Sequence, residues 1–240
     1  MAGLLTVSAL SASAAITGNL NISGTVRVSL STIDWQNPTG APNGVFLTIQ
    51  PGTNYFASIF STDPFTPYGG RALDLGGGPF AGPVFVPSFM SGFTAPGYSG
   101  LFFDLTLLDP SSAPVCTGSE GENQPCRIGT PSPFTLTQKF DQSGNPSVAI
   151  DFSIQGFFQD SNLANSRANY KGTYTTQLTD PALDTISEVL TRINGGGFVE
   201  ASYSGNFSEL SAIPEPSTVL FTLTGGLLML GSAVLRKIRS

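Results

Sequence analysis

Hydrophobic and polar residues alternate through most of the middle of the chain. Leu20, Ile22, Val26, Val28 and Leu30 are spaced by even steps, as are Val148, Ile150, Phe152 and Ile154, and then Tyr170, Tyr174 and Leu178. A period of two puts such residues on one side of an extended segment, so each run predicts a strand with one face toward a core. Shorter runs predict strands at 45–50 (VFLTIQ), 54–60 (NYFASIF), 84–86 (VFV), 101–108 (LFFDLTLL), 134–140 (FTLTQKF) and 199–207 (VEASYSGNF). Clusters such as Asn37-Pro38-Thr39-Gly40 and Ser143-Gly144-Asn145-Pro146 supply turn chemistry between them. Residues 64–99 are rich in Gly and Pro without alternation and are expected to form long loops.

The period changes once. Leu183, Ile186, Val189, Leu190 and Ile193 share a helical face, Asp180-Pro181 offers an N-cap and a first-position proline, and Asn194-Gly195-Gly196-Gly197 offers a stop. About nine strands, one late helix and no internal repeat predict an all-β protein: a β-sandwich or jelly-roll-like ectodomain with one packed helix.

A third pattern fills the C-terminus. Residues 218–235, TVLFTLTGGLLMLGSAVL, carry no charge. At the α-helical rise these 18 residues reach about 27 Å, close to the hydrocarbon thickness of a bilayer, so a single C-terminal transmembrane helix is expected. Arg236, Lys237 and Arg239 follow at once and act as stop-transfer charges that hold this end in the cytoplasm. Just before the span, Pro214-Glu215-Pro216 is a stiff, extended tripeptide presenting one carboxylate, followed by Ser217 and Thr218.

Tripeptide, Ser/Thr, glycine-containing apolar helix and short basic tail, in that order, resemble the PEP-CTERM sorting signals of Gram-negative bacteria and cyanobacteria. The resemblance covers residues 213–240, about a tenth of the chain. It implies that an integral-membrane exosortase reads Pro214, Glu215 and Pro216 on the outer face of the inner membrane and cuts nearby. The ectodomain of this membrane-anchored precursor would then reach the cell surface or extracellular matrix, a setting in which exopolysaccharide is a possible partner. At the other end, MAGLLTVSALSASAA has a modest apolar stretch and an Ala12-Ser13-Ala14 cleavage pattern but lacks a basic n-region. Residues 1–15 are therefore read as a signal-peptide remnant with cleavage near Ala14 or Ala15, residues 16–212 as the β-rich ectodomain, and 213–240 as the sorting signal.

Composition narrows the chemistry. The chain has no histidine, which removes the commonest general base, the Ser-His and Cys-His arrangements and the imidazole metal ligands. Of ten basic residues three lie beyond 235, and of sixteen acids one is Glu215, so the segment before Pro214 has seven against fifteen, net −8. Such a charge repels phosphate backbones, and no nucleic-acid partner is expected. Charged residues make up only 11% of the chain, so Ser, Thr, Asn, Gln and Gly must cover the surface. The only cysteines, Cys116 and Cys126, stand ten positions apart in a polar loop, and in an exported chain they are expected to form a disulfide.

Candidate sites are few. Gly76-Gly77-Gly78-Pro79-Phe80-Ala81 matches a dinucleotide pattern only formally, because Pro79 denies it a helix, and Gly97-Tyr98-Ser99-Gly100 reads as a turn. Asp104, Asp109, Asp151 and Glu200 lie on or beside strands and could supply the paired carboxylates of a secreted carbohydrate-active enzyme. That is the alternative to a binding or structural ectodomain, for which no catalytic residue and no cofactor are assigned. Asp141 and Asn145 could hold calcium or simply build a hairpin turn. Exposed Tyr residues or the sole Trp35 could stack on sugar rings. Asn21-Ile22-Ser23 and Asn206-Phe207-Ser208 are sequons that report exposure where a glycosylation system exists.

Overall fold

A computed structural model describes residues 16–36, 44–48, 50–63, 66–77, 81–164, 166–178 and 180–210. The signal remnant 1–15, the turn at 37–40, the sorting tripeptide Pro214-Glu215-Pro216, the helix 218–235 and Arg236, Lys237 and Arg239 lie outside the described residues. Among the described residues no helix is long and apolar enough to cross a membrane.

The unit that ends at Glu209 is mostly strand. In chain order the strands are β1 (Asn19–Val28), β2 (Thr32–Gln36), β3 (Gly44–Leu47), β4 (Gly69–Ala72), β5 (Leu75–Gly76), β6 (Gly82–Ser91), β7 (Leu101–Leu108), β8 (Pro125–Arg127), β9 (Thr135–Phe140), β10 (Pro146–Asp160), β11 (Ala168–Gln177) and β12 (Val199–Glu209), with one helix, α1 (Ile186–Asn194), before the last strand. Eight of them close on themselves in the antiparallel order β1-β3-β4-β6-β7-β10-β11-β12 and back to β1.

The expected two facing sheets are thus replaced by a closed barrel with extra strands, and two long strands explain why. β10 holds β9 with Pro146–Asp151 and β7 with Ile154–Asp160, while β11 runs along its other edge from Ala149 to Phe158. β1 likewise takes β12 along its whole length, β3 at Ser23 and β2 over Thr25–Val28. One half of each long strand therefore belongs to the barrel. The other half carries a flap, β9-β8 on one side and β2-β5 on the other. Closure satisfies the edges that a sandwich leaves open.

An eight-stranded barrel has an interior just wide enough for side chains, and here rings fill it. Phe158 sits 4.9 Å from Phe103, 5.0 Å from Tyr170, 5.2 Å from Phe56 and 5.6 Å from Phe207, centre to centre. A second cluster gathers Trp35, Phe152, Tyr174 and Tyr203. Inward-facing glycines make room: a Cβ on Gly172 would lie 2.6 Å from the Phe207 ring, and one on Gly156 only 2.0 Å from the Asp104 carbonyl oxygen.

Three local expectations change. Residues 54–58 form a 3₁₀ turn instead of a strand, and its buried Phe56 projects into the first ring cluster. The Gly/Pro-rich stretch 64–99 contains β4 and β5 as well as the expected strand at 84–86, which is extended into β6 (Gly82–Ser91). Its alternation is erased because Gly70 must pass the Phe46 ring, where a Cβ would stand at 2.4 Å, and because β6 shifts register against β7 twice. The helix starts late: Asp180 caps only a 3₁₀ turn at Pro181–Leu183, and α1 begins anew at Thr185, whose hydroxyl and the Glu188 carboxylate form a capping box.

Candidate binding face

On β1, β12, β11 and β10 the inward positions hold the ring clusters, so the intervening positions form one outer face. Register aligns them into rungs. Asn21, Asn206, Thr173 and Ser153 make one rung, and Ser23, Ser204, Thr175 and Asp151 the next. Neighbours along a rung stand about 4.8 Å apart, and successive rungs about 6.7 Å apart.

Two adjoining depressions open on this face. One, of about 180 Å³, is lined by Asn21, Ile22, Ser23, Gln50, Thr173, Thr175, Ser204, Gly205 and Asn206. The other, of about 670 Å³, is lined by Ser23, Gly24, Thr25, Ala149, Thr175, Thr176, Gln177, Ser202, Tyr203 and Ser204. They share Ser23, Thr175 and Ser204 and so form one groove. Among the described residues no acid or base lines it.

Its rim is fixed by side-chain amides. Asn206 Nδ2 donates to Asn21 Oδ1 at 2.7 Å, and Asn21 Nδ2 donates to the Pro51 carbonyl at 3.1 Å, which holds the loop bearing Gln50 against β1. The asparagines of the two sequons are thus each other's partners on neighbouring strands. By contrast, the hydroxyls of Ser23, Thr25, Thr173, Thr175, Ser202 and Ser204 have no hydrogen-bond partner among the described residues. Each remains a free donor and acceptor.

The acids considered for catalysis are dispersed. Asp104 accepts from the Ser88 amide at 2.5 Å and braces the irregular part of β6, where Ser88 has φ 50°. Asp109 accepts from Gln155 Nε2 at 2.6 Å and pairs with Lys171 Nζ at 2.7 Å. Glu200 pairs with Arg27 at 2.9 Å, and that guanidinium lies over the Phe198 ring. Asp151 stands on the outer face, where burial pushes its carboxyl up and nearby Lys139 pulls it down. None of the four lines the groove.

Asp141 accepts from Ser143 N at 2.7 Å, Asn145 N at 2.9 Å and Asn145 Nδ2 at 2.7 Å, which closes the β9–β10 turn and engages the oxygens considered for calcium. The Asn145 side chain does most to hold that carboxyl below its ordinary range. Cys116 and Cys126 are joined as a disulfide, with Cα atoms 4.8 Å apart. Glu120 lies beside them; burial pushes its carboxyl up, but donors from Thr117 and Gly118 outweigh that and hold it low. Gly97 and Ser99 lie in turns, as expected, and Gly76 ends a two-residue strand. Trp35 is only 2% exposed and packs among rings, so it offers no platform to a sugar.

Two features escape a reading of the sequence. One is the groove, whose only signal was the Ser/Thr/Asn character of the polar positions on three strands adjacent in space but distant in sequence. The other is a buried cluster in which Tyr55 Oη donates to Asp160 Oδ2 and Tyr98 Oη donates to the Tyr55 carbonyl, each at 2.5 Å. Burial, with the Asp160 carboxylate next, drives the Tyr55 hydroxyl far above its ordinary range, and the two hydrogen bonds tie Tyr55, Tyr98 and Asp160 together. No protein-family model, curated protein or solved structure matches the chain, so its chemistry is read from its own residues.

Proposed function

We propose that the chain is an exported cell-surface or extracellular-matrix protein whose ectodomain is a binding module, anchored first and then processed through its C-terminal signal. The observation that carries the binding reading is the uncharged groove, with its row of unpartnered hydroxyls on a rigid, closed barrel. Preorganised, exposed donors and acceptors favour recognition, because the scaffold loses little entropy when a ligand docks. The separate partners of Asp104, Asp109 and Glu200 weigh against an acid pair working on a common substrate.

Export is supported by two features. The disulfide belongs to oxidising compartments, and the 213–240 segment resembles a PEP-CTERM signal. Membrane, exosortase and matrix polysaccharide are the partners this reading entails.

Fractionation of cells with and without an exosortase tests it. With the enzyme, the protein is expected in the medium or matrix without residues 218–235; without it, in the membrane at full length. Glu215→Gln is expected to insert normally and stay unprocessed even where the enzyme is present. A full-length, membrane-bound protein in both strains would overturn the processing route.

A further inference from the structure

We infer that the groove across β1, β12 and β11 binds a neutral polysaccharide chain. This rests on the binding-module reading above and names its ligand class. The first argument is charge complementarity. The segment before Pro214 is net −8, so a polyuronate or other polyanion is repelled at long range, while a cationic ligand finds no carboxylate among the described lining residues to replace its hydration and only Asp151 beyond Thr175 on the same rung. An uncharged ligand escapes both penalties.

The second argument is hydrogen-bonding capacity. Ser23, Thr175 and Ser204 occupy the shared floor, and each hydroxyl can donate and accept, as sugar hydroxyls do. Gln50 stands at one end with an amide that does both, and Gln177 at the other, where Nε2 donates to Ser147 Oγ at 2.9 Å and Oε1 is left as an acceptor. A polymer is favoured over a single sugar because the two depressions are continuous across several strands and no aromatic side chain is exposed in them to trap one ring. Contact is therefore spread over many weak hydrogen bonds, and repetition along a chain multiplies them.

Affinity electrophoresis of the full chain in mild nonionic detergent tests this, with hydroxyethyl cellulose, glucomannan and dextran as neutral polymers and alginate as the polyanion. The protein is expected to be retarded by at least one neutral polymer, equally at low and high salt, and to ignore alginate. The double variant Thr175→Arg with Ser204→Arg fills the floor with two cations. It is expected to lose at least tenfold in retardation by the neutral polymer and to gain retardation by alginate. Gln50→Ala with Gln177→Ala, a milder change at the two ends, is expected to weaken neutral binding severalfold with an unchanged circular dichroism spectrum. Indifference of the wild type to every neutral polymer, or salt-sensitive binding to alginate alone, would overturn the inference. So would full neutral binding by both variants. Export and processing are read separately by fractionation, so a secreted protein that ignores neutral polymers refutes the ligand class and leaves the export reading standing.

Discussion

Single residues in this protein divide by what their polar atoms are doing. Asp141 is exposed, yet it gathers three donors from its own turn, and its carboxyl is held below the ordinary 3.8. A group whose folded value is depressed stabilises the fold above its unfolded value and loses that contribution as pH falls through the folded value. The urea midpoint of the wild type is therefore expected to drop between about pH 5 and pH 2 by more than that of Asp141→Asn, which has no charge to lose. Parallel curves for the two proteins would show that the turn gains nothing from ionisation. Ser23 and Ser204 are the opposite case, because their hydroxyls have no hydrogen-bond partner among the described residues. The sequence showed that such residues would cover the surface, and Ser143-Gly144-Asn145-Pro146 showed where one turn would fall. It could not show that Ser23 and Ser204 stand side by side, because their pairing links positions 181 apart through the closure of the barrel.

At the scale of elements, alternation was legible in most long strands, though the short alternating β2 was not expected. β7, β9 and β10 stand where their patterns put them, and so does β12. It failed where another constraint outweighed propensity: glycines dictated by a close neighbour in β4, register shifts that hid the extent of β6 beyond 84–86, and a 3₁₀ turn that NYFASIF adopts so that Phe56 can enter the core. The helix shows how one polar side chain can join elements. Gln138 on β9 is 4% exposed, and its Nε2 donates to the Ser147 and Asp184 carbonyls while its Oε1 accepts from the Ile186 amide. It thereby caps the start of α1 from across the core. Gln138→Leu keeps most of the volume but orphans these groups, and about 1–3 kcal/mol of stability is expected to be lost. Urea denaturation measures the loss, and hydrogen exchange should place it at the first turn of α1. A neutral substitution would mean that water replaces the amide there.

At the scale of the whole molecule, the barrel is continuous only because β12 lies between β11 and β1. A chain ending at residue 198 lacks that strand and exposes two edges together with the ring clusters that Tyr203 and Phe207 complete. It is expected to bind a hydrophobic dye, to show no cooperative unfolding and to aggregate; a cooperative transition in that fragment would mean the rest is stable with its seam open. The sandwich expected from the sequence and the barrel observed share most of their long strands and differ in short ones such as β2 and β8 and in closure. Closure is set by the double engagement of β1 and β10, which no local pattern records.

Because β1, the first described strand, finds its full-length partner only in β12, the last described strand, synthesis and assembly do not proceed in step. The β1 edge toward β12 stays open, with only the nearby β2 and β3 at hand for the other edge, until some 180 further residues have emerged. The seam between β11 and β1 therefore closes last, when β12 docks between them.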